Sequence, residues 1–93
     1  MKKLLTVLIV LSFSFTASAA VVREINGIDY FLLDDWDTAD GECALRGKEY
    51  ASSFYSYNEV SKNVISMSAN GGNVKVLPES NGPYPVIASL TCK

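Results

Sequence analysis

Two short apolar runs near the start of the chain predict a β-hairpin. Val21–Ile25 and Ile28–Leu33 flank the dipeptide Asn26-Gly27. Asn-Gly between apolar runs favours a type I′ turn, because both central residues of that turn need a positive φ. A two-residue loop would set Glu24 opposite Asp29, and like charges in that position are destabilising. A longer turn or a short first strand therefore stays open as the alternative.

The pattern from Asp34 to Gly47 changes to a helical period. Trp36, Ala39 and Cys43 recur at helical spacing, which predicts that Cys43 faces the core. Aspartates crowd the start of the segment, where they can cap free N–H groups, and its last residue is a glycine suited to the C′ position. Gly41 inside the segment lowers the expected helix stability by up to about 1 kcal/mol.

Residues 51–57 are rich in aromatic side chains and serine, which favours a strand. Tyr50, Phe54 and Tyr57 would equally form a helical stripe, so helix stays open as the alternative for this segment. Residues 58–62 predict a turn.

A second hairpin is expected around Asn70-Gly71-Gly72-Asn73, with strands in residues 63–69 and 73–77. Residues 78–83 are a loop by composition. The final run, residues 86–92, alternates, which predicts that Val86, Ala88, Leu90 and Cys92 share the inner face and that Ile87, Ser89 and Thr91 share the outer one.

These elements predict an α+β fold, with one short helix packed on an antiparallel sheet of about four to six strands. Cys43 and Cys92 are the only cysteines. We expect them to form one disulfide from the helix to the C-terminal strand, since an even pair in a small exported domain is usually oxidised. The bond would close a loop of about 50 residues, for which the chain-entropy estimate is about 4 kcal/mol.

The first residues have the pattern of a cleavable signal peptide. Lys2 and Lys3 precede an apolar stretch, and Ala17 and Ala19 place small side chains at positions −3 and −1 of a cleavage site. The apolar stretch is shorter than the about 20 residues that a membrane span needs. We expect residues 1–19 to be removed, leaving one domain, residues 20–93, in the periplasm or, alternatively, outside the cell, with no membrane attachment after cleavage.

Charge and composition narrow the classes of partner. Loss of Lys2 and Lys3 would lower the net charge from −2 to about −4, so nucleic acid is not an expected partner. Residues 35–42 resemble a calcium loop in composition, but their spacing differs from that of an EF-hand. We expect no metal and no cofactor. The chain has no histidine, which removes Ser–His and Cys–His catalysis and the commonest zinc ligand.

We therefore expect no catalytic residues and a noncatalytic role in protein binding, as an envelope accessory protein. Its layout, with a signal peptide and cysteines in a helix and at the C-terminus, is similar to that of many small bacterial envelope proteins and specifies no function. An inhibitor or protective factor that binds a cationic target, such as a lysozyme-like hydrolase, is the alternative. A small carboxylate-based enzyme is the third. The candidate binding patch consists of acids from a stretch without Lys or Arg and two tyrosines: Asp29, Asp34, Asp35, Asp37, Asp40, Glu42, Tyr55 and Tyr57.

Overall fold

The structure, a computed structural model, describes residues 20–93; the predicted signal peptide lies outside the described residues. It has one α-helix and six strands, and the predicted α+β class is confirmed. The elements in chain order are β1 (Val22–Ile25), β2 (Ile28–Leu32), α1 (Trp36–Leu45), β3 (Ala51–Val60), β4 (Val64–Ser66), β5 (Lys75–Val76), a 3₁₀ turn (Glu79–Asn81) and β6 (Tyr84–Cys92). Residues 51–57 are a strand, as their composition favours.

The strands form two sheets. One sheet has the order β1-β2-β4-β5 and the other pairs β3 with β6. All pairs are antiparallel except β2 with β4, which are parallel. The expectation of a purely antiparallel sheet is wrong at this pair because α1 and β3 intervene along the chain, and their length supplies the crossover that parallel neighbours require.

The two sheets are joined along β6. Leu33 forms an isolated antiparallel bridge with Val86. The N–H of Val21 donates to the carbonyl of Ile87 at 3.1 Å, and the N–H of Asp34 donates to the carbonyl of Pro85 at 3.0 Å. One edge of β6 therefore binds β3 and the other binds residues at both ends of the β1–β2 hairpin.

The β1–β2 hairpin has the tight turn that Asn-Gly predicts. Asn26 and Gly27 have φ values of 54° and 84°, and Glu24 lies opposite Asp29. Oε2 of Glu24 accepts a hydrogen bond from the N–H of Gly27 at 2.9 Å. This bond directs the Glu24 carboxylate toward the loop. It is a physical reason why Glu24 and Asp29 can lie opposite each other.

Helix α1 begins and ends with complete caps. Oδ1 of Asp35 accepts from the N–H of Thr38 at 2.8 Å. At the other end Gly47 has φ +80°, its N–H donates to the carbonyl of Ala44, and the N–H of Lys48 donates to that of Cys43. These two bonds form a Schellman motif, which satisfies carbonyls that the helix leaves free.

The core lies between α1 and the inner faces of both sheets. Ala39 and Cys43 are fully buried, as their spacing predicts, but Trp36 is 54% exposed. Val86 and Ile87 are both fully buried, so the predicted outward position of Ile87 is wrong. The register shifts by one residue where Tyr55 pairs with Ser89 and the next residue of β3 pairs with Ile87. Such a bulge reverses the alternation of faces along a strand.

The pairing of β4 with β5 confirms the second hairpin, but its strands are shorter and its loop is longer than predicted. Ser68 and Gly72 close the loop, since the N–H of Ser68 donates to the carbonyl of Gly72 at 2.9 Å.

The predicted turn over residues 58–62 is also displaced. Strand β3 continues to Val60, which pairs with Tyr84, because β6 is long enough to provide a partner there.

The disulfide between Cys43 and Cys92 is present, with a Cα–Cα distance of 5.5 Å and a sequence separation of 49. It links the buried face of α1 to the end of β6, as the sequence predicts. Within residues 20–93, no helix is long and apolar enough to cross a membrane.

Gly41 allows α1 to approach the loop after β4. A Cβ at this position would overlap the carbonyl oxygen of Ser68 and lie 2.6 Å from Cγ of Met67. We expect Gly41→Ala to lower the free energy of unfolding by about 1–3 kcal/mol, despite the gain of about 1 kcal/mol in helix propensity. Chemical denaturation measures the change.

Gly47→Ala is the control for Gly41→Ala. A Cβ at Gly47 would meet no neighbour within 4 Å, so its cost is the strain of a positive φ alone, about 1 kcal/mol. A stabilised Gly41→Ala protein would show that the helix and the loop do not pack as closely as described.

Candidate functional site

The segment from Asp34 to Asp40 contacts β3 at three points. Its residues meet β3 in reverse order: the hydroxyl of Ser56 donates to Oδ2 of Asp34, Trp36 packs on Phe54, and Oδ1 of Asp40 accepts from the N–H of Ala51 at 2.8 Å. The start of α1 therefore runs antiparallel to the first half of β3.

Trp36 packs on β3 and yet stays largely exposed. Its ring meets Phe54 edge to face, with the ring centroids 4.7 Å apart and the planes at 72°. Phe54 itself packs against the core. More than half of the Trp36 side chain nevertheless stays in solvent, so the indole is positioned by the core without being covered by it.

Asp40, one turn after Trp36, shares its face of α1, whereas Asp37, the next residue, points about 100° further round the exposed side of the helix. Residues three and four positions apart share a helix face, and Asp40 is directed to the edge of β3 by its bond to Ala51. Asp37 is exposed, and the salt bridges among the described residues do not include it. Its carboxylate is therefore free to meet a cation from outside.

Glu42 does not belong to an exposed acidic patch. It is 2% exposed and forms two hydrogen bonds with Arg23 of β1, from Nε at 2.6 Å and from an NH2 nitrogen at 3.0 Å. Arg46 adds a third, from Nε at 2.9 Å. The hydrogen bond to Glu42 raises the pKa of Arg23, against the opposing effect of partial burial. The prediction that Glu42 lies in the surface patch is wrong, because its carboxylate is buried and paired with Arg23 and Arg46.

The other members of the predicted patch are separated. Asp35 caps α1. Asp29 lies beside Tyr30, whose cross-strand partner is Arg23, and since Arg23 reaches α1, alternation directs Asp29 to the opposite face of its sheet. Tyr55 is 69% exposed and lies next to the inward Phe54, which places it on the outer face of β3. Tyr57 lies in β3, and its side chain is outside the described part of the chain.

No family model matches the sequence, and comparison with curated proteins and with solved structures finds no similar protein. Residues 20–93 enclose no cavity that would hold a small molecule, and within that range no three His, Cys, Asp or Glu side chains come together as metal ligands would.

What the fold assembles from the predicted patch is a smaller surface, which we call the α1–β3 surface: Trp36, Asp37, Asp40 and the edge of β3 that faces away from β6. It combines a fixed aromatic ring with carboxylates, an arrangement that can hold a Lys or Arg side chain by a cation–π contact and an ion pair. Sequence reasoning missed Trp36, which its helical spacing assigned to the core. The aspartates on both sides of it were the available signal.

Proposed function

We propose that this protein is a noncatalytic binding domain, exported to an oxidising compartment, which contacts a cationic protein partner through the α1–β3 surface. The observation that carries the proposal is the exposed but fixed position of Trp36. Tryptophan is among the residues that most often dominate binding energy at protein interfaces, and a ring already held against Phe54 loses little conformational freedom on binding.

Charge supports a cationic partner. Asp37 lies beside Trp36 on the exposed side of α1, and the net charge of residues 20–93 is about −4. Such a field steers oppositely charged partners and accelerates association at low ionic strength. Export is supported by the signal-like pattern of residues 1–19, and the disulfide is compatible with an oxidising compartment.

Replacement of the anchor should weaken binding. We expect Trp36→Ala to reduce capture of the partner from an envelope extract by at least ten-fold, because truncation of an anchor of this kind typically costs about 2 kcal/mol or more. Quantitative pull-down with mass spectrometry measures the change. Val76→Ala removes an apolar side chain that is even more exposed, from β5 of the other sheet, and is the matched control. Equal loss in both variants, or in neither, would refute the assignment of the surface.

The identity of the captured protein separates two roles. A resident envelope protein supports an accessory role, whereas a basic secreted hydrolase supports the alternative, an inhibitor or protective factor. The inhibitor role is favoured by the exposed Asp37 beside Trp36. A lysozyme provides a direct assay, in which the protein should slow cell-wall lysis at low salt and lose the effect near 1 M salt, where the Debye length falls to about 3 Å.

A further inference from the structure

Strand β3 has one edge without a strand partner among the described residues. Its only partner there is β6. Tyr50 and Lys93 exchange two backbone hydrogen bonds, of 3.2 and 2.9 Å, so the N–H of the next residue, Ala51, points away from β6. Asp40 accepts that N–H. The first position on the free edge is therefore covered by a side chain of α1.

The rest of this edge is interrupted by register shifts after Ala51 and after Ser56, but it lacks the other usual protections of an edge strand. Ala51–Val60 is ten residues long, contains one charged residue, Glu59, and has no Lys or Pro. Soluble proteins normally shorten their free edges or place lysine, proline or another element on them. Tyr55, Ser56 and Glu59, in the middle and second half of β3, are exposed. This part of the free edge is therefore accessible to another chain.

Helix α1 borders this edge on the inner face of the sheet. Asp40 reaches the edge, Trp36 projects from the same face one turn earlier, and Asp37 follows it on the adjoining exposed face of the helix. A strand added to β3 would direct every second side chain toward this side of α1. Those side chains would meet an indole ring and a carboxylate, which together favour Lys or Arg.

We propose that the free edge of β3 accepts an extended basic segment of the partner as an additional strand, with its Lys or Arg side chains toward Trp36 and Asp37. This inference rests on the proposed function and specifies how the same surface binds. Backbone hydrogen bonds would supply affinity, and the side chains toward α1 would supply selectivity. A second copy of the chain is a poorer occupant, since it brings the same negative charge to an acidic surface.

The probe is a ten-residue peptide of alternating lysine and threonine with blocked termini. Trp36 is the only tryptophan, so its fluorescence reports directly on the site. Two further peptides carry N-methyl groups on the odd or the even residues. In an added strand only every second N–H faces β3, so one methylated peptide should bind at least ten-fold more weakly and the other should bind like the parent. Hydrogen exchange should slow at amides of β3 when the parent binds.

Asp37→Asn should weaken binding of the parent peptide several-fold, and Asp29→Asn, on the other sheet, should leave it unchanged. Equal binding of both methylated peptides would overturn strand addition while leaving the proposed function intact. Equal binding of a glutamate–threonine peptide would overturn the basic specificity. A dimer in sedimentation that the peptide does not dissociate would assign the edge to a second copy. The proposed function fails separately, if Trp36→Ala does not reduce partner capture.

Discussion

Reduction of the Cys43–Cys92 disulfide is expected to lower the free energy of unfolding by about 2–5 kcal/mol. The bond spans 49 residues of sequence, so breaking it restores much of the conformational freedom of the unfolded chain. A domain of this size buries a small core and has little stability in reserve. The melting temperature should fall by about 10–30 °C, as calorimetry with and without a reductant would measure.

The double variant Cys43→Ala, Cys92→Ala is the control for this prediction. It should be destabilised to a similar extent, and reductant should not change its melting temperature further. Cys43 is fully buried, so alanine is preferred to serine, which would bury a hydroxyl group. A reduced protein that melts within 2 or 3 °C of the oxidised one would show that the core alone holds α1 against β6.

The second large effect is expected at Arg23. Glu42 is buried and receives two of its three arginine hydrogen bonds from this residue. Removing one partner of a buried pair typically costs about 3–5 kcal/mol, because the other charge stays buried. Arg46 remains to compensate part of the charge, so we expect Arg23→Met to cost about 2–4 kcal/mol in chemical denaturation.

Arg46→Met is the matched control, because it removes the same group from the same carboxylate. Arg46 makes one hydrogen bond, from the next turn of the helix, and its side chain is 41% exposed. Pairs of this kind are worth about 0.5 kcal/mol. Similar losses in the two variants would contradict the assignment of Arg23 as the principal partner. A triple variant with methionine at positions 23, 42 and 46 should recover most of the loss, since an apolar replacement leaves no charge unpaired.

The position of Glu42 also changes how the acidic segment can be tested. Charge reversal at Glu42 would place three cations together beside β1 and unfold the domain, so it cannot report on surface charge. Asp37 is the informative position, because it is exposed and close to Trp36. Substitutions there change the field of the α1–β3 surface and leave the ion pairs of the core untouched.

The sequence by itself determined the elements that depend on local chemistry. The Asn-Gly turn, the caps of α1 at Asp35 and Gly47, and the disulfide all follow from residue types at fixed spacing, since their causes lie within a few residues or admit only one pairing. The α+β class followed from the same local periods, and so did strand rather than helix for residues 51–57, though less firmly.

Only the tertiary structure decided which polar residues are available at the surface. Glu42 and Asp37 lie in the same acidic stretch, yet one is neutralised by Arg23, 19 residues away in the chain, and the other faces solvent. Trp36 has the helical spacing of a core residue, but it packs on Phe54 edge to face and stays 54% exposed. The parallel β2–β4 pair, the bulge that buries Ile87 and the free edge of β3 likewise depend on contacts between distant segments. Local sequence patterns do not predict such contacts, because the free energy that stabilises these contacts arises only when the distant segments pack together.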